Sequence, residues 1–111
     1  MDRVEQYRNI VRQVLQHYYT LYQRMQDADT AMLCDRTSDQ YQVIQTGWDA
    51  QQRRIYTTLH LSIKNGRVYI HSDPTEEGVA NSLIEAGIPK TDIVLEYQAP
   101  TLRKYSEFAQ A

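Results

Sequence analysis

Two histidines are the residues in this sequence most suited to chemistry, because a predicted β-hairpin brings them together. Asn65-Gly66, flanked by alternating apolar residues, is a strong signal for a hairpin with a two-residue turn. Counting back from that turn, with Lys64 opposite Arg67, places His60 opposite His71. The Cβ atoms of opposed residues lie about 4.5–5.5 Å apart, which is close enough for two imidazoles to bind one metal ion. Two histidines and a carboxylate would make an open zinc or iron site.

The neighbouring carboxylate weakens the case for that metal site. Asp73 follows His71 by two residues, but it is also predicted to begin the second helix as its N-cap. Pro74 would then be the first helical residue, and Glu76 would complete a capping box. Since a capping carboxylate is already engaged, the favoured interpretation makes the two histidines surface or interface residues. No cofactor is predicted.

Other signatures of catalysis are missing from the sequence. It contains no Gly-rich phosphate loop, no G-x-S-x-G elbow, no Cys-x-x-Cys and no His-Glu-x-x-His. Cys34 ends a short apolar run and is interpreted as a small buried hydrophobe, since no acid or histidine at a motif spacing would activate it. The chain is therefore predicted not to be an enzyme.

Composition limits the class of protein further. A chain of 111 residues is expected to form one domain, and a single cysteine excludes an internal disulfide and suits a reducing, cytoplasmic compartment. No apolar run approaches the length of a membrane span, so no membrane contact is expected. A net charge of −2 is unusual for a free-standing nucleic-acid binder. Nine tyrosines, against one tryptophan and one phenylalanine, hint at a partner surface.

The order of predicted elements indicates an α+β fold. A helix over about residues 2–23 carries an apolar stripe wide enough to lie on a sheet, although its heptad spacing would also allow dimerisation. Strands are predicted at 31–34, 41–48 and 93–95, besides the two of the hairpin, and a second helix ends at Gly87 before Pro89. The sheet is therefore expected to have about five mostly antiparallel strands with both helices on one face.

The incoming hairpin strand is predicted to contribute its apolar face to the core. In strict alternation this face consists of Ile55, Thr57, Leu59, Leu61 and Ile63. Past the last strand, a tail with Leu102, Tyr105 and Phe108 is expected to pack on something as a helical turn or a docked extended segment.

Exposed aromatic and basic side chains are the candidates for a partner surface. Arg53 and Arg54 lie close to Trp48 in the sequence and would suit a phosphate or an acidic partner. A solvated turn with an arginine stacked on the tryptophan is the favoured interpretation. The predicted partner-binding residues are Trp48, Arg53, Arg54, Tyr69, Arg103, Lys104, Tyr105 and Phe108.

Several stretches, taken in order, resemble a known family. They are residues 41–48 ending in Gly47-Trp48, the hairpin from Arg53 to Ile70, residues 78–93 with Gly87-Ile88-Pro89, and residues 103–109, which read RKYSEFA. With Asp2-Arg3 and Tyr7-Arg8 of the opening helix, this ordered set is similar to the XisI family, the fdxN-element excision controlling factors of cyanobacteria. The resemblance covers nearly the whole chain, and no single motif carries it.

The resemblance implies a role in the excision of a DNA element during development of nitrogen-fixing cells. XisI-type proteins act alongside XisH, which looks nuclease-like, and a site-specific recombinase. No catalytic residues are carried over from the family to this sequence.

Three hypotheses follow. The first is a non-catalytic regulator that binds an XisH-type protein. The second is direct DNA binding at the borders of the element, through Arg53, Arg54, Arg67, Arg103 and Lys104. The third is a metal-dependent enzyme that uses His60 and His71. Self-association, through the tyrosine-rich helix or the polar sheet face, is a separate expectation.

Overall fold

The hairpin closed by Asn65-Gly66 lies in the middle of the sheet in a computed structural model, which describes residues 2–25, 29–75, 78–98 and 108–109. Both turn residues have positive φ, 55° at Asn65 and 74° at Gly66, as a two-residue hairpin loop requires. Lys64 pairs with Arg67, so the predicted register is confirmed at the turn. The register continues unchanged as far as the pair Leu61 and Ile70.

The described elements form the predicted α+β architecture. In chain order they are α1 (Arg3–Met25), β1 (Asp29–Asp35), β2 (Gln40–Asp49), β3 (Gln52–Lys64), β4 (Arg67–Ser72), α2 (Val79–Glu85), a single 3-10 turn (Lys90–Asp92) and β5 (Ile93–Leu95). The five strands make one sheet in the order β1-β2-β3-β4-β5. Every neighbouring pair is antiparallel except β4 and β5, which are parallel because α2 forms the crossover between them.

The first helix begins and buries its stripe as the sequence predicts. The Asp2 carboxylate accepts a hydrogen bond from the Glu5 N–H at 2.9 Å, which caps the helix. The buried residues of α1 recur at three- and four-residue steps and face the sheet. They are Tyr7, Val11, Val14, Leu15 and Tyr18. None of the described helices is long and apolar enough to cross a membrane.

One hydrophobic core joins both helices to the same face of the sheet. The strands contribute alternate residues to it, as expected for a sheet covered on one side. The fully buried side chains of this face include Tyr41, Val43, Leu59, Leu61, Val68, Ile70 and Ile93, and α2 adds Val79 and Leu83. Both described helices therefore pack on one face of the sheet, and neither lies on the opposite face.

The second helix begins later than the sequence predicts. Asp73 does not occupy the N-cap position, which belongs to Gly78 at φ 87°, a conformation that cannot continue a helix. The Asp73 carboxylate instead accepts from the Thr75 N–H, in the kind of local turn that competes with helix formation. It still reaches the Val79 N–H at 2.8 Å, so it caps the helix across a loop. Glu76 lies outside the described residues.

The far end of α2 is as predicted. Gly87 has φ 119° and donates its N–H to the Ile84 carbonyl, while Ile88 donates to the Leu83 carbonyl, both at 3.0 Å. This pair of bonds is a Schellman motif, for which glycine is the preferred residue. Ile88 is fully buried, so the motif also fixes the chain against the core.

Only the end of the C-terminal tail lies within the described residues. The Ala109 N–H donates to the Ile93 carbonyl at 2.9 Å, and Phe108 packs against the core. The prediction that the tail packs on the protein is therefore confirmed at these two positions. Leu102 and Tyr105 lie outside the described residues.

Candidate functional site

A β-bulge at Thr58 decides which side chains face away from the helices. Val43 pairs with Leu59, but the next residue, Ile44, pairs with Thr57, so Thr58 is the extra residue of β3. Directly opposed residues share a face, and consecutive residues alternate. Thr57 therefore lies on the face opposite Leu59, together with Ile55, with which it alternates regularly.

The prediction of one continuous apolar face is thus wrong for the outer half of β3. Leu59, Leu61 and Ile63 are buried in the core as expected. Ile55 is 67% exposed on the face directed away from the helices, which we call the outer face. The extra residue inverts the alternation, and a bulge of this kind leaves no clear mark in the hydrophobic pattern.

The outer face carries apolar side chains where an uncovered face is normally polar. Register places Leu33 beside Gln42 and Ala31 beside Ile44, so β1 and β2 contribute to the same face as Ile55. Leu33 is 48% exposed and Trp48 is 68% exposed. We call the group formed by Leu33, Ile44, Trp48 and Ile55 the outer-face strip.

The outer part of the β2–β3 hairpin, which we call the ribbon, is flanked by β1 as far as Thr46 and is two-stranded only at residues 47–49 and 52–54. Among the described residues, β4 pairs only with residues 60–64 of β3, so residues 52–59 have a neighbouring strand on the β2 side alone. A two-stranded ribbon has little stability of its own. Trp48 lies on this two-stranded segment, and Ile55, beside it, shares its face, while Tyr56, which is 56% exposed, lies on the opposite face. These side chains have little intramolecular cover.

Trp48 and Arg53 pair directly near the ribbon tip. The Arg53 Cζ lies 5.8 Å from the centroid of the indole ring, which is a cation–π contact. They line an outer-face cleft of about 270 Å³ with Asp29 and Thr46. The predicted stacking of an arginine on the tryptophan is confirmed, but both residues lie in paired strands and not in a turn.

Arg54 lies on the opposite face of the ribbon and does not join this group. It pairs with Gly47 in the ladder, and its Nη2 donates to the Asp49 carboxylate at 3.1 Å. Both side chains are well exposed, so this ion pair contributes little stability.

The two histidines meet on the outer face, but not as the register predicts. His60 pairs with Ser72, because β4 has its own bulge at His71. The bulge still turns the imidazoles together, with ring centroids 4.4 Å apart and planes 29° apart. Burial, followed by the nearby His71, lowers the pKa of His60 below its ordinary value.

Each imidazole is held by a neighbouring polar side chain. The Nε2 of His60 is 2.7 Å from the Gln40 amide oxygen, and the Nε2 of His71 is 2.7 Å from the Ser62 hydroxyl. Ser62 is 5% exposed beneath them, so the rings cover a polar position of the sheet. The network is well suited to fixing ring orientation, because each ring has a defined partner.

A third metal ligand does not converge on the histidine pair within the described parts of the chain. No group of three or more His, Cys, Asp or Glu side chains there could hold a metal ion. The Asp73 carboxylate, the ligand considered from the sequence, is occupied by the N–H groups of Thr75 and Val79.

Comparisons with known proteins place the chain in a family. A family model described as XisI protein matches residues 1–110. The crystal structure of the fdxN element excision controlling factor XisI from Anabaena variabilis ATCC 29413 has 33% sequence identity and a TM-score of 0.90, and the match covers 99% of this chain and 100% of the other. This chain belongs to the XisI family.

A second solved structure agrees with this assignment. An XisI-like protein from the same organism has 29% identity and a TM-score of 0.88, with 99% of this chain and 100% of the other covered. No curated protein matches the chain. The resemblance inferred from the ordered sequence stretches is therefore confirmed over nearly the whole length of this XisI-family chain.

The structure brings together only some of the residues predicted to bind a partner. Trp48, Arg53 and Tyr69 share the outer face, where Tyr69 lies 6.4 Å from His71 between ring centroids. Phe108 packs against the core. The remaining tail candidates, Arg103, Lys104 and Tyr105, lie outside the described residues.

Sequence reasoning missed Leu33, Ile44 and Ile55 as surface residues. Ile55 was predicted on the core face of its strand, whereas no face was predicted for Leu33 or Ile44 within their apolar runs.

Proposed function

We propose that this XisI-family chain is a non-catalytic accessory protein that controls excision of a DNA element by binding an XisH-type, nuclease-like protein. The membership of the chain in a family of excision controlling factors supports the regulatory role. The outer-face strip supports the mode of action, and it is the observation on which the proposal chiefly rests.

The strip has the composition of a protein interface. Trp48 lies near its outer end with Arg53 against the ring, and tryptophan and arginine are the residue types most often found at binding hot spots. Ile55 and Leu33 extend the apolar area across three strands. Contiguous exposed apolar area on a folded protein commonly marks an interaction site.

Direct DNA binding through the ribbon arginines has less support. Arg53 is stacked on Trp48, and Arg54 is paired with Asp49, so neither is poised towards a phosphate. The net charge of −2 also lacks the basic excess that neutralises a phosphate backbone.

Titration calorimetry of the purified chain with an XisH-type protein tests the proposal. We expect a complex at micromolar concentration and, for Trp48→Ala, an affinity reduced about tenfold or more, as for an aromatic hot-spot residue. Ile55→Ser should weaken binding in the same direction. Tyr56→Ser is the matched control, because Tyr56 is similarly exposed on the other face of the same ribbon.

Two results would contradict the proposal. One is the absence of any complex at micromolar concentration. The other is an equal loss for the Tyr56 and Ile55 variants, which would show that the outer face is not the binding surface. A gel-shift titration at two salt concentrations tests the DNA alternative, since phosphate contacts must weaken steeply with salt.

A further inference from the structure

A small basic cavity lies on the helix-covered side of the sheet, where α1 passes the end of β1. It has a volume of about 180 Å³ and is lined by Arg8, Arg12, Cys34, Arg36 and Tyr41. Arg8 and Arg12 are one helical turn apart and so face the same way. Cys34 and Tyr41 are partners in the β1–β2 ladder, and Arg36 follows in the turn. Three of the five lining residues are therefore arginines.

The prediction that Cys34 is a small buried hydrophobe is wrong. The residue is exposed on the edge strand β1, where the facing part of α1 carries Arg8 and Arg12. Partial burial of the thiol nevertheless raises its pKa, against the opposing influence of Arg12. The thiol is thus neutral at physiological pH and accessible at the cavity wall.

The three arginines differ in how far they are already neutralised. Arg8 is held by Asp39 through two hydrogen bonds and by Glu5 through a third. Arg36 donates to the same Glu5 carboxylate, and its side chain is 61% exposed in the turn. No carboxylate of the described residues lies within ion-pair distance of Arg12. The cluster therefore has an excess of one positive charge, located at Arg12.

The remaining walls favour an anion. Burial, with a hydrogen bond to Asp39, raises the pKa of Tyr41 to about 12, so this side chain stays neutral. The Tyr41 hydroxyl and the Cys34 thiol therefore add no negative charge to the cavity. A guanidinium has five N–H donors in a planar fork, which matches the oxygens of a phosphate.

We propose that this cavity binds a phosphate-class oxyanion between Arg12 and Arg36, with Arg8 fixed at its base. The volume exceeds that of several water molecules at about 30 Å³ each, so a phosphate group enters with some of its hydration. Arg12 also borders a second cleft of about 440 Å³, which is lined by polar residues of α1 and by Met32 of β1. A free phosphate and a phosphate of a nucleic-acid backbone present the same chemistry to the cavity, and the cleft gives a longer ligand room to continue.

Cys34 supplies a built-in reporter for this site. It is the one cysteine of the sequence, so its alkylation by N-ethylmaleimide, an uncharged reagent, can be followed on the intact chain. Inorganic phosphate should slow the alkylation in a saturable way at constant pH. Sodium chloride at the same ionic strength should not, because screening alone does not block access to the thiol.

Arginine variants distinguish specific phosphate binding in the cavity from non-specific attraction of phosphate to a positively charged surface. Arg12→Gln should raise the phosphate concentration at half-protection about tenfold, corresponding to the loss of one charge-assisted contact. Arg24→Gln is the matched control, since Arg24 is an exposed arginine in the last turn of the same helix, outside the cavity. The control should leave half-protection unchanged.

The outcomes are decisive in each direction. Saturable protection that Arg12→Gln weakens and Arg24→Gln preserves supports the site. Protection by a short DNA duplex at a lower phosphate-equivalent concentration assigns the phosphate to a nucleic acid, and protection by inorganic phosphate alone assigns it to a small ligand. Equal protection by chloride, equal effects of the two variants, or no shift of the Arg12 and Arg36 Nε–Hε NMR signals on adding phosphate would overturn the proposal.

Discussion

Arg8 and Asp39 join the first helix to the β1–β2 turn through two parallel hydrogen bonds, although they are 31 residues apart in the sequence. The Nε of Arg8 donates to Oδ1 at 2.8 Å, and Nη2 donates to Oδ2 at 3.1 Å. Asp39 also accepts from the Tyr41 hydroxyl and has φ 52°, a conformation that aspartate and asparagine tolerate better than most residues. The turn is therefore held by its side chain as well as by its backbone.

Asp39→Asn is expected to lower the midpoint of thermal unfolding, because it keeps the turn conformation and removes the charge that Arg8 needs. The Arg8 hydrogen bond holds the pKa of Asp39 below its ordinary value of 3.8. The carboxylate therefore stabilises the fold fully above that value, and this contribution is lost as the pH falls through the lower folded-state pKa. In unfolding curves measured between about pH 5 and pH 2, the stability of the variant should therefore decrease less with acidification than that of the unmodified chain. Asp49→Asn, which breaks only the exposed pair with Arg54, should change little.

Because of two buried tyrosines, we expect the protein to lose stability at high pH. Burial raises the pKa of Tyr7 to about 12, assisted by its hydrogen bond to Asp92, and Tyr41 reaches about 12 in the same way beside Asp39. The pKa of tyrosine in the unfolded state is about 10. Between about pH 10 and pH 12, unfolding therefore releases protons from these two side chains. The stabilisation is present below about pH 10 and is lost as the pH rises towards 12. Urea unfolding at stepped pH values should show this decline, and Tyr41→Phe should flatten it. An unchanged slope in that variant would contradict the assignment.

Asp73 is expected to stabilise α2 in spite of its distance from the helix. Asp73→Ala should reduce the free energy of unfolding by about 0.5–2 kcal/mol, the range for lost helix caps. The reason is that the Val79 N–H would lose its 2.8 Å acceptor. Amide exchange gives the direct readout, since the Val79 N–H should exchange faster in the variant. Glu85→Ala, an exposed change at the other end of the same helix, is the control and should leave that amide protected.

Because of the stacked histidines, we expect the stability of the fold to depend on pH near neutrality. The pKa of His60 is lowered, first by burial and then by His71. The neutral imidazole therefore stabilises the fold fully above its ordinary pKa of 6.5, and this contribution is lost as the pH falls through the lower pKa of the folded state. NMR titration should place the midpoint of His60 below 6.5. His71→Asn should raise that midpoint only in part, because burial remains. A His60 midpoint at or above 6.5 in the unmodified chain would contradict the arrangement.

The sequence predicted the elements well because their signals are local. Turn residues at 65 and 66, the glycine that ends α2 and the periodicity of α1 each report backbone geometry within a few residues. The start of α2 was missed because two local structures compete for Asp73, a short turn at Thr75 and a helix cap, and both fit the same residues. The burial of Cys34 was mispredicted because exposure at an edge strand depends on what the facing helix carries.

The face of Ile55 and the pairing partner of His60 could not be derived from the sequence, because each depends on a bulge. Each bulge inserts one residue into a ladder, at Thr58 in β3 and at His71 in β4, and each exchanges the faces of the residues beyond it. The alternation of apolar residues continues through Thr58, so the pattern alone assigns Ile55 to the core. Only the pairing with β2 shows that it belongs to the outer face.

Because of the bulge at Thr58, we expect Leu59 and Ile55 to contribute very differently to stability, although the hydrophobic pattern assigns both to the core. Leu59 is fully buried and Ile55 is 67% exposed. Leu59→Ala should therefore cost about 2–5 kcal/mol of unfolding free energy, as for buried aliphatic side chains. Ile55→Ala should change it by about 0.5 kcal/mol or less, as for exposed positions. Urea denaturation of both variants measures the difference. Similar costs would mean that Ile55 faces the core, that β3 lacks the bulge, and that the outer-face strip loses one of its four members.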